Sequence, residues 1–262
     1  MREFEAVERN LSHALCCFAR AAPEGGIDRL PGVLLANAAV ACPVFNAALL
    51  EGRVTVGDEL ERRVAVARFY YEARGLRWSF WLCHDLLPPA LRGGLGEVFS
   101  RHGLRMAARC PGMTAAALPL SPGREVPGLS FRPVEDEETR SAFCRITAAC
   151  FRVPLKTSTT IYAHPQAWRD GLAGWIGYLH GRPVASAATI VAADAIGLYS
   201  VATLPEHQRR GIGEQITRHA LAAAREQTGL DRMVLQSTPQ GVSLYRRLGF
   251  RDVARFTVFA SE

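Results

Sequence analysis

The sequence predicts an α/β protein built on mixed sheet and laid out as two halves of similar plan. Three observations carry this. Apolar residues recur with a period of two in some segments and near 3.6 in others, in alternation along the chain. The run from Leu118 to Gly128, LPLSPGREVPG, holds three prolines and two glycines and suits neither helix nor inner strand. On either side of that run the chain closes with strand, helix, strand, helix, strand, as an internal duplication would. The expected units are therefore residues 1–120 and 126–262, within the usual size of domains.

The first half opens with an amphipathic helix, on which Phe4, Val7, Leu11, Leu15 and Phe18 share a face. The apolar stretch from Gly32 to Leu50 is interrupted by Asn37, Pro43 and Asn46, so it reads as strands near 32–38 and 44–50 around a Cys42-Pro43 turn rather than as a membrane span. Thr55-Val56-Gly57-Asp58 opens a second helix carrying Leu60, Val64, Ala67 and Tyr71, with Gly75 near its end. A strand over Arg77–Leu82, a helix over about 89–102 and a strand from Leu104 follow. The second half reads as a strand at 129–134, a helix near 136–150, and a loop with Pro154 and Pro165. Strands at 172–180, 183–192 and 195–203 come next. A long helix with Ile212, Ile216, Ala220 and Ala223, a strand at 232–237, a helix at 239–248 and a strand at 251–259 complete it.

Composition removes several classes. Hydrophobic content of 48% with 21% charged residues fits a globular chain with a real core. The formal charge is +6, carried by arginine with Lys156 as the single lysine, and no run of five basic residues occurs, so nucleic acid is not an expected partner. Seven cysteines form no CxxC pair and none stands at zinc spacing from a histidine. They read as reduced residues of a cytoplasmic protein, with no metal expected. The start, MREFEAVERN, lacks the basic-then-apolar pattern of a signal peptide.

The segment that carries chemistry is Tyr199-Ser-Val-Ala-Thr-Leu-Pro-Glu-His-Gln-Arg-Arg-Gly-Ile-Gly213. It passes from strand through a glycine-bearing loop into a helix. Gly211 and Gly213 stand where the first backbone N–H groups of that helix lack intrahelical partners. A phosphate approaches such amides closely when no side chains intervene, and the helix dipole and the charges of Arg209 and Arg210 add to the attraction. No GK[ST] follows, so this is not a P-loop, and the distance from the strand excludes a dinucleotide fingerprint.

Gln208-Arg-Arg-Gly-Ile-Gly213 resembles the Q/R-x-x-G-x-G/A signature of the GCN5-related N-acetyltransferase (GNAT) superfamily. Ser237-Thr-Pro-Gln-Gly-Val-Ser-Leu-Tyr-Arg-Arg-Leu-Gly-Phe250 is similar to the family's late helix with its Tyr-x-x-x-Gly-Phe. The resemblance covers about 129–260. It implies a GNAT fold in the second half, and the first half looks like a degenerate GNAT-like copy without the glycine loop. It further implies acetyl-CoA as co-substrate and direct transfer to an amine of a small molecule or peptide. Main-chain groups at Val201, Ala202 and Thr203 would hold the pantetheine arm and the thioester carbonyl. Gln208, Arg209, Arg210, Gly211, Ile212, Gly213 and Glu214 would hold the pyrophosphate, and Tyr245 would protonate the leaving thiolate. Tyr162, His164, Trp168 and Tyr199 are the candidates for the acceptor cleft. Gly241, one turn before Tyr245, is expected to leave room for the cofactor.

Two departures from the family pattern matter. Ser237 stands where many members carry asparagine. Period-two alternation puts Gly197, Tyr199, Val201 and Thr203 on one strand face, with no carboxylate to serve as base. A non-catalytic acetyl-CoA sensor and a transferase using a bulkier acyl or aminoacyl donor therefore stay open as alternatives. The expected assembly is a monomer with an intrachain pseudo-dimer, or a homodimer.

Overall fold

A computed structural model describes residues 2–116, 118, 123–169 and 171–262. Part of the expected linker, residues 119–122, lies outside the described residues. The first half comprises α1 (Glu3–Ala21), β1 (Gly26–Leu30), β2 (Val33–Asn37), β3 (Asn46–Leu50), α2 (Gly57–Glu72), β4 (Ser79–Cys83), α3 (Leu95–Arg101) and β5 (Leu104–Ala115). The second comprises β6 (Leu129–Pro133), α4 (Glu137–Phe151), α5 (Leu155–Tyr162), β7 (Leu172–Leu179), β8 (Arg182–Ala192), β9 (Ala195–Thr203), α6 (Ile212–Thr228), β10 (Met233–Gln236), α7 (Val242–Arg247) and β11 (Arg251–Ser261). The expected elements are present. Two more appear, the short edge strand β1 and the helix α5 inside the expected Pro154–Pro165 loop.

All eleven strands form one sheet in the order β1-β2-β3-β4-β11-β5-β10-β9-β8-β7-β6. Each half thus receives the last strand of the other: β11 lies between β4 and β5, and β5 lies between β11 and β10. The central pair runs antiparallel from Arg251 opposite Thr114 to Ser261 opposite Leu104. The parallel pairs are β3 with β4 and β9 with β10, at equivalent places in the two halves. The strand–helix–strand connections β3-α2-β4 and β9-α6-β10 place these pairs side by side, as crossover units do.

One sheet face carries α6 and α7 over a core of Ile196, Leu198, Ile212, Ile216, Leu235 and Tyr245. On the opposite face α1 packs against β1 and β2 of its own half and against β8, β9 and β10 of the other. Asn10 locks it there. This fully buried amide donates to the carbonyls of Ala192 (2.9 Å), Ala195 (3.1 Å) and Ile190 (3.2 Å), and accepts from the Tyr199 hydroxyl at 2.7 Å. Gly197 permits the approach, since a Cβ there would stand 1.8 Å from Asn10 Oδ1. Removing a buried partner leaves its mates unsatisfied at about 1–3 kcal/mol each. Asn10→Ala should therefore destabilise the protein by roughly 3 kcal/mol or more in denaturant unfolding. A loss below about 1 kcal/mol would contradict this reading of the α1 anchor.

Candidate active site

In the second half β9 and β10 pair only at Ile196–Met233 and Gly197–Val234. Beyond that point the two strands part, and β9 continues to Thr203 with β8 alone beside it. Two residues, Ser200 and Val201, stand opposite the single Ala187, because Tyr199 pairs with Ala188 and Ala202 with Ser186. Ser200 takes up the slack with φ 50°, a left-handed conformation unusual for a serine inside a strand. The bulge is pinned from both sides: Ser186 Oγ donates to the Ser200 carbonyl (3.0 Å), and the Tyr162 hydroxyl meets Ser200 Oγ at 3.2 Å.

This bulge corrects the expected alternation. Gly197 and Tyr199 share the α1 face with Ala202, whereas Val201 and Thr203 turn to the α6 face with Leu198. An inserted residue shifts every later side chain to the other face. The α1 face of β9 still offers no carboxylate.

At the end of β9 the loop to α6 curls through left-handed Arg209 (φ 59°) and Gly211 (φ 88°). Alternating handedness turns successive N–H groups toward one point, a concavity suited to an anion. Ile212, Gly213 and Glu214 follow in the first helical turn, with no side chain among the described residues capping it. Gln208 Nε2 bonds the Thr203 carbonyl at 3.0 Å and so folds the loop back on β9. Arg210 contacts His207, and Glu214 pairs with Arg218 at 3.1 Å. The segment after the undescribed linker residues sits against this loop: Gln215 Nε2 donates to the Arg124 carbonyl at 2.8 Å, and Val126 lies beside Gly211. Sequence reading missed that contact, which joins segments 91 residues apart.

Tyr245 lies on α7, buried, with its ring edge-on to Phe250. Burial pushes its phenol above the ordinary value and keeps it protonated. Gly241 does not clear space for a cofactor, as expected from sequence. A Cβ there would come within 2.9 Å of both the Tyr245 ring and Ser237 Oγ, so this glycine seats the tyrosine. Ser237 N–H donates to the Pro111 carbonyl of β5, so the first half holds this edge of the gap.

The acceptor candidates divide. Tyr162 and Tyr199 meet at the bulge, in an aromatic cluster with Phe18 and Phe45 of the first half. Trp168 packs behind them, donating its indole N–H to the Tyr162 carbonyl at 2.9 Å. His164 is exposed and accepts the Gln166 amide at the start of a short 3-10 turn. Burial raises the buried thiols, Cys110 and Cys144 to about 11 and Cys83 to about 12, so none is a ready nucleophile. No disulfide joins any of the described cysteines.

The equivalent place in the first half is closed. The Val54 N–H donates to the Leu86 carbonyl (3.0 Å) across the ends of β3 and β4, and Arg53 Nη1 reaches the Asp85 carbonyl. The two amides just before α2 are taken by the chain's own Glu59, which accepts from Thr55 N–H at 2.7 Å and Val56 N–H at 3.5 Å. The Thr55 hydrogen bonds and Arg63 hold that carboxyl down at about 2. A carboxylate of the chain's own thus sits at this helix start, where it would repel a phosphate.

This asymmetry and the loop motif agree with comparison to known families, in which residues 140–250 match the acetyltransferase (GNAT) family. That match falls within the C-terminal half. Solved structures share the fold over nearly the whole chain. A GCN5-related N-acetyltransferase from Kribbella flavida is 19% identical with a TM-score of 0.72, covering 96% of this chain and 94% of that one. One from Sphaerobacter thermophilus is 12% identical with a TM-score of 0.61, covering 97% and 92%. A tandem GNAT protein from the clavulanic acid biosynthesis pathway is 13% identical with a TM-score of 0.58, covering 99% and 95%. No functionally curated protein matches the sequence. Among the described residues no helix is long and apolar enough to cross a membrane, and no three His, Cys, Asp or Glu side chains gather as metal ligands.

Proposed function

We propose that the chain is an N-acetyltransferase, with residues 126–262 as the catalytic unit and residues 1–120 as a degenerate copy that completes it. The acetyl group passes from acetyl-CoA directly to an amine of a small molecule or peptide, in a cytoplasmic, monomeric pseudo-dimer. The observation that carries the reading is the contrast between the halves: the β9 and β10 strands part and no side chain among the described residues caps the start of α6, while the β3–β4 gap is stapled and Glu59 sits at the start of α2. The residues suit the co-substrate. The amides from Arg209 to Glu214 hold pyrophosphate, the unpaired edge of β9 from Val201 to Thr203 bonds the pantetheine amides, and acetyl-CoA supplies an activated thioester. On this reading the Val201 N–H stabilises the thioester carbonyl oxygen as it gains charge during attack. Tyr245 supplies the proton for the departing sulfur.

Titration of the intact protein with CoA is expected to give close to one site per chain. Gly213 is the position for a steric block. It has ordinary φ, and among the described residues an added Cβ would meet Thr203 Oγ1 at 3.4 Å and Leu244 at 4.0 Å, ordinary contact distances, so Gly213→Val is expected to fold, as its circular dichroism spectrum would check. Gly211→Val, by contrast, would strain a left-handed residue. Gly213→Val should weaken CoA binding by roughly 100-fold, about 3 kcal/mol, in calorimetry. Unchanged affinity, or two sites per chain, would overturn the assignment. The sensor alternative predicts binding with no thiol released from acetyl-CoA by any amine.

A further inference from the structure

We propose that the sheet carries a second anion site, in which Arg92, Arg109 and Arg255 hold a phosphate group beside His84. The site is separate from the glycine loop before α6, and it does not depend on the transferase reading.

The central strands bring these residues together. On β11, Phe256 pairs with Cys83 of β4 and with Cys110 of β5. One step further, His84 leaves the end of β4 beside Arg255, whose N–H donates to Asp85 Oδ2 at 3.1 Å. Thr257 stands opposite Arg109, and its hydroxyl meets His84 Nε2 at 2.8 Å. Cross-strand partners share a face, and so do residues two apart, so Arg109, Thr257 and Arg255 lie on one side of the sheet. A Cβ at Gly112 would touch Phe256, Ala254 and Val7, which marks those side chains as facing α1 and leaves the arginines on the opposite face. Arg92 joins the group from the turn that follows β4. Its Nε and Nη2 both bond the Leu87 carbonyl, at 3.4 Å and 3.2 Å, so its guanidinium is held in place.

The cluster lacks a matching negative charge. Elsewhere in the first half Arg29 pairs with Glu51, Arg68 with Glu72 and Arg101 with Glu61. Arg92, Arg109 and Arg255 form no ion pair among the described residues. Burial lowers the pKa of the half-buried His84, the charges of Arg255, Arg92 and Arg109 lower it further, and Asp85 opposes them. Three guanidinium groups that repel a proton from the ring attract an anion to the same place. His84 Nδ1 has no hydrogen-bond partner among the described residues, and both ring nitrogens donate once the ring is protonated. A phosphate dianion has the charge and the oxygens to accept from several arginine forks and an imidazolium together. A carboxylate carries less charge and fewer acceptor oxygens, and would leave part of this set unanswered.

This arrangement is not a remnant of a CoA cradle. The corresponding place after β10 reads Ser237-Thr-Pro-Gln240 and carries no basic residue. The β3–β4 gap beside the cluster is stapled by the Val54–Leu86 bond, so the phosphate lies against the sheet face rather than between parted strands. Anion binding and protonation of His84 favour each other. A dianion beside the ring raises the pKa that burial and the arginines lower, so affinity grows as pH falls through that pKa.

The test follows the His84 ring signals by NMR in the intact, histidine-labelled chain as inorganic phosphate is added, with and without CoA. His84→Gln identifies the signals. A saturable shift is expected at about millimolar phosphate or below, and it should persist with CoA present. Arg109→Gln and Arg255→Gln, both at exposed positions, should each weaken the binding by roughly 10-fold or more, with wild-type amide spectra and unchanged CoA affinity. Sulfate, a dianion throughout, should bind more tightly as pH falls from about 8 to about 6. Methyl phosphate separates two sources of the group: binding as tight as phosphate assigns the site to a monoester, and weaker binding assigns it to the free ion. No saturable shift at His84, or wild-type affinity in both variants, overturns the site. A shift abolished by CoA overturns it as well, since the phosphate would then sit in the loop before α6. If CoA does not bind at all, the transferase reading fails while the His84 shift still decides this site.

Discussion

Residues 126–262, expressed without the first half, will not yield a folded CoA-binding protein. Taken as a sequence, this segment looks complete, with every GNAT element from first strand to last. In the sheet it is not. β5 lies between β10 and β11, pairing Gln236 with Gly112 on one side and Ser261 with Leu104 on the other. Without β5, β11 has no neighbour in its own half and β10 becomes a bare edge four residues long. The loss of α1 uncovers Tyr199, Val234 and Gln236 and strips Asn10 from three carbonyls. The Ser237 amide loses Pro111 at the margin of the gap. Unsatisfied buried backbone groups and exposed apolar area both count against the fragment, and domains of this size hold only about 5–15 kcal/mol in reserve. The expected result is an insoluble or molten chain, without the dispersed amide NMR spectrum of a fixed fold, rescued when residues 1–125 are co-expressed. A soluble fragment with native-like dispersion and full CoA affinity would show that the shared strands are dispensable.

What sequence reasoning reached and what it missed separate along physical lines. Local patterns were legible. The period-two runs of β7 to β9, the face of α6, and the glycine loop before it leave their marks within a dozen residues. So did the lack of such a loop in the first half, although its positive closure by Glu59 and by the Val54–Leu86 bond needed coordinates. α5 was hidden because LKTSTTIY is rich in Thr and Ser, weak helix formers that favour turns, and its helix is held by packing of Ile161 and Tyr162. β1 was hidden by Asp28 and Arg29, charged residues that an edge strand tolerates. The strand exchange between halves has no local signal, since β5 and β11 present the same alternation whichever neighbour they take. The bulge at Ser200 was equally silent, because serine in a left-handed conformation is imposed by Ser186, Tyr162 and the register of β8 rather than by its own preference. Asn10 shows the same limit. The helix could be read as amphipathic, but not that one buried amide on it would tie the second half's hairpin to the first half.

Tyr245→Phe should cut turnover by roughly 100-fold or more while leaving acetyl-CoA affinity unchanged, the range expected when a positioned acid is lost. The structure supports both parts of the statement. The ring is packed by Phe250 and seated by Gly241, and neither contact uses the hydroxyl, so phenylalanine keeps the wall of the gap intact. Among the described residues the hydroxyl has no hydrogen-bond partner, which leaves its proton for a ligand atom. Burial holds the phenol above its ordinary pKa, so it is protonated at every pH where the protein works. Such a phenol is a weaker acid than in water, but a thiolate leaving into the same dry gap is raised too, and the transfer stays close to balanced. Because the bond to sulfur strengthens only as the C–S bond breaks, kcat and kcat/KM should fall by the same factor with KM little changed. The measurement is steady-state thiol release beside calorimetric acetyl-CoA binding. A fall in affinity that accounts for the lost kcat/KM would make Tyr245 a binding residue instead. Wild-type turnover, with chemistry limiting the rate, would remove its role as acid and leave the departing thiolate to take its proton from water.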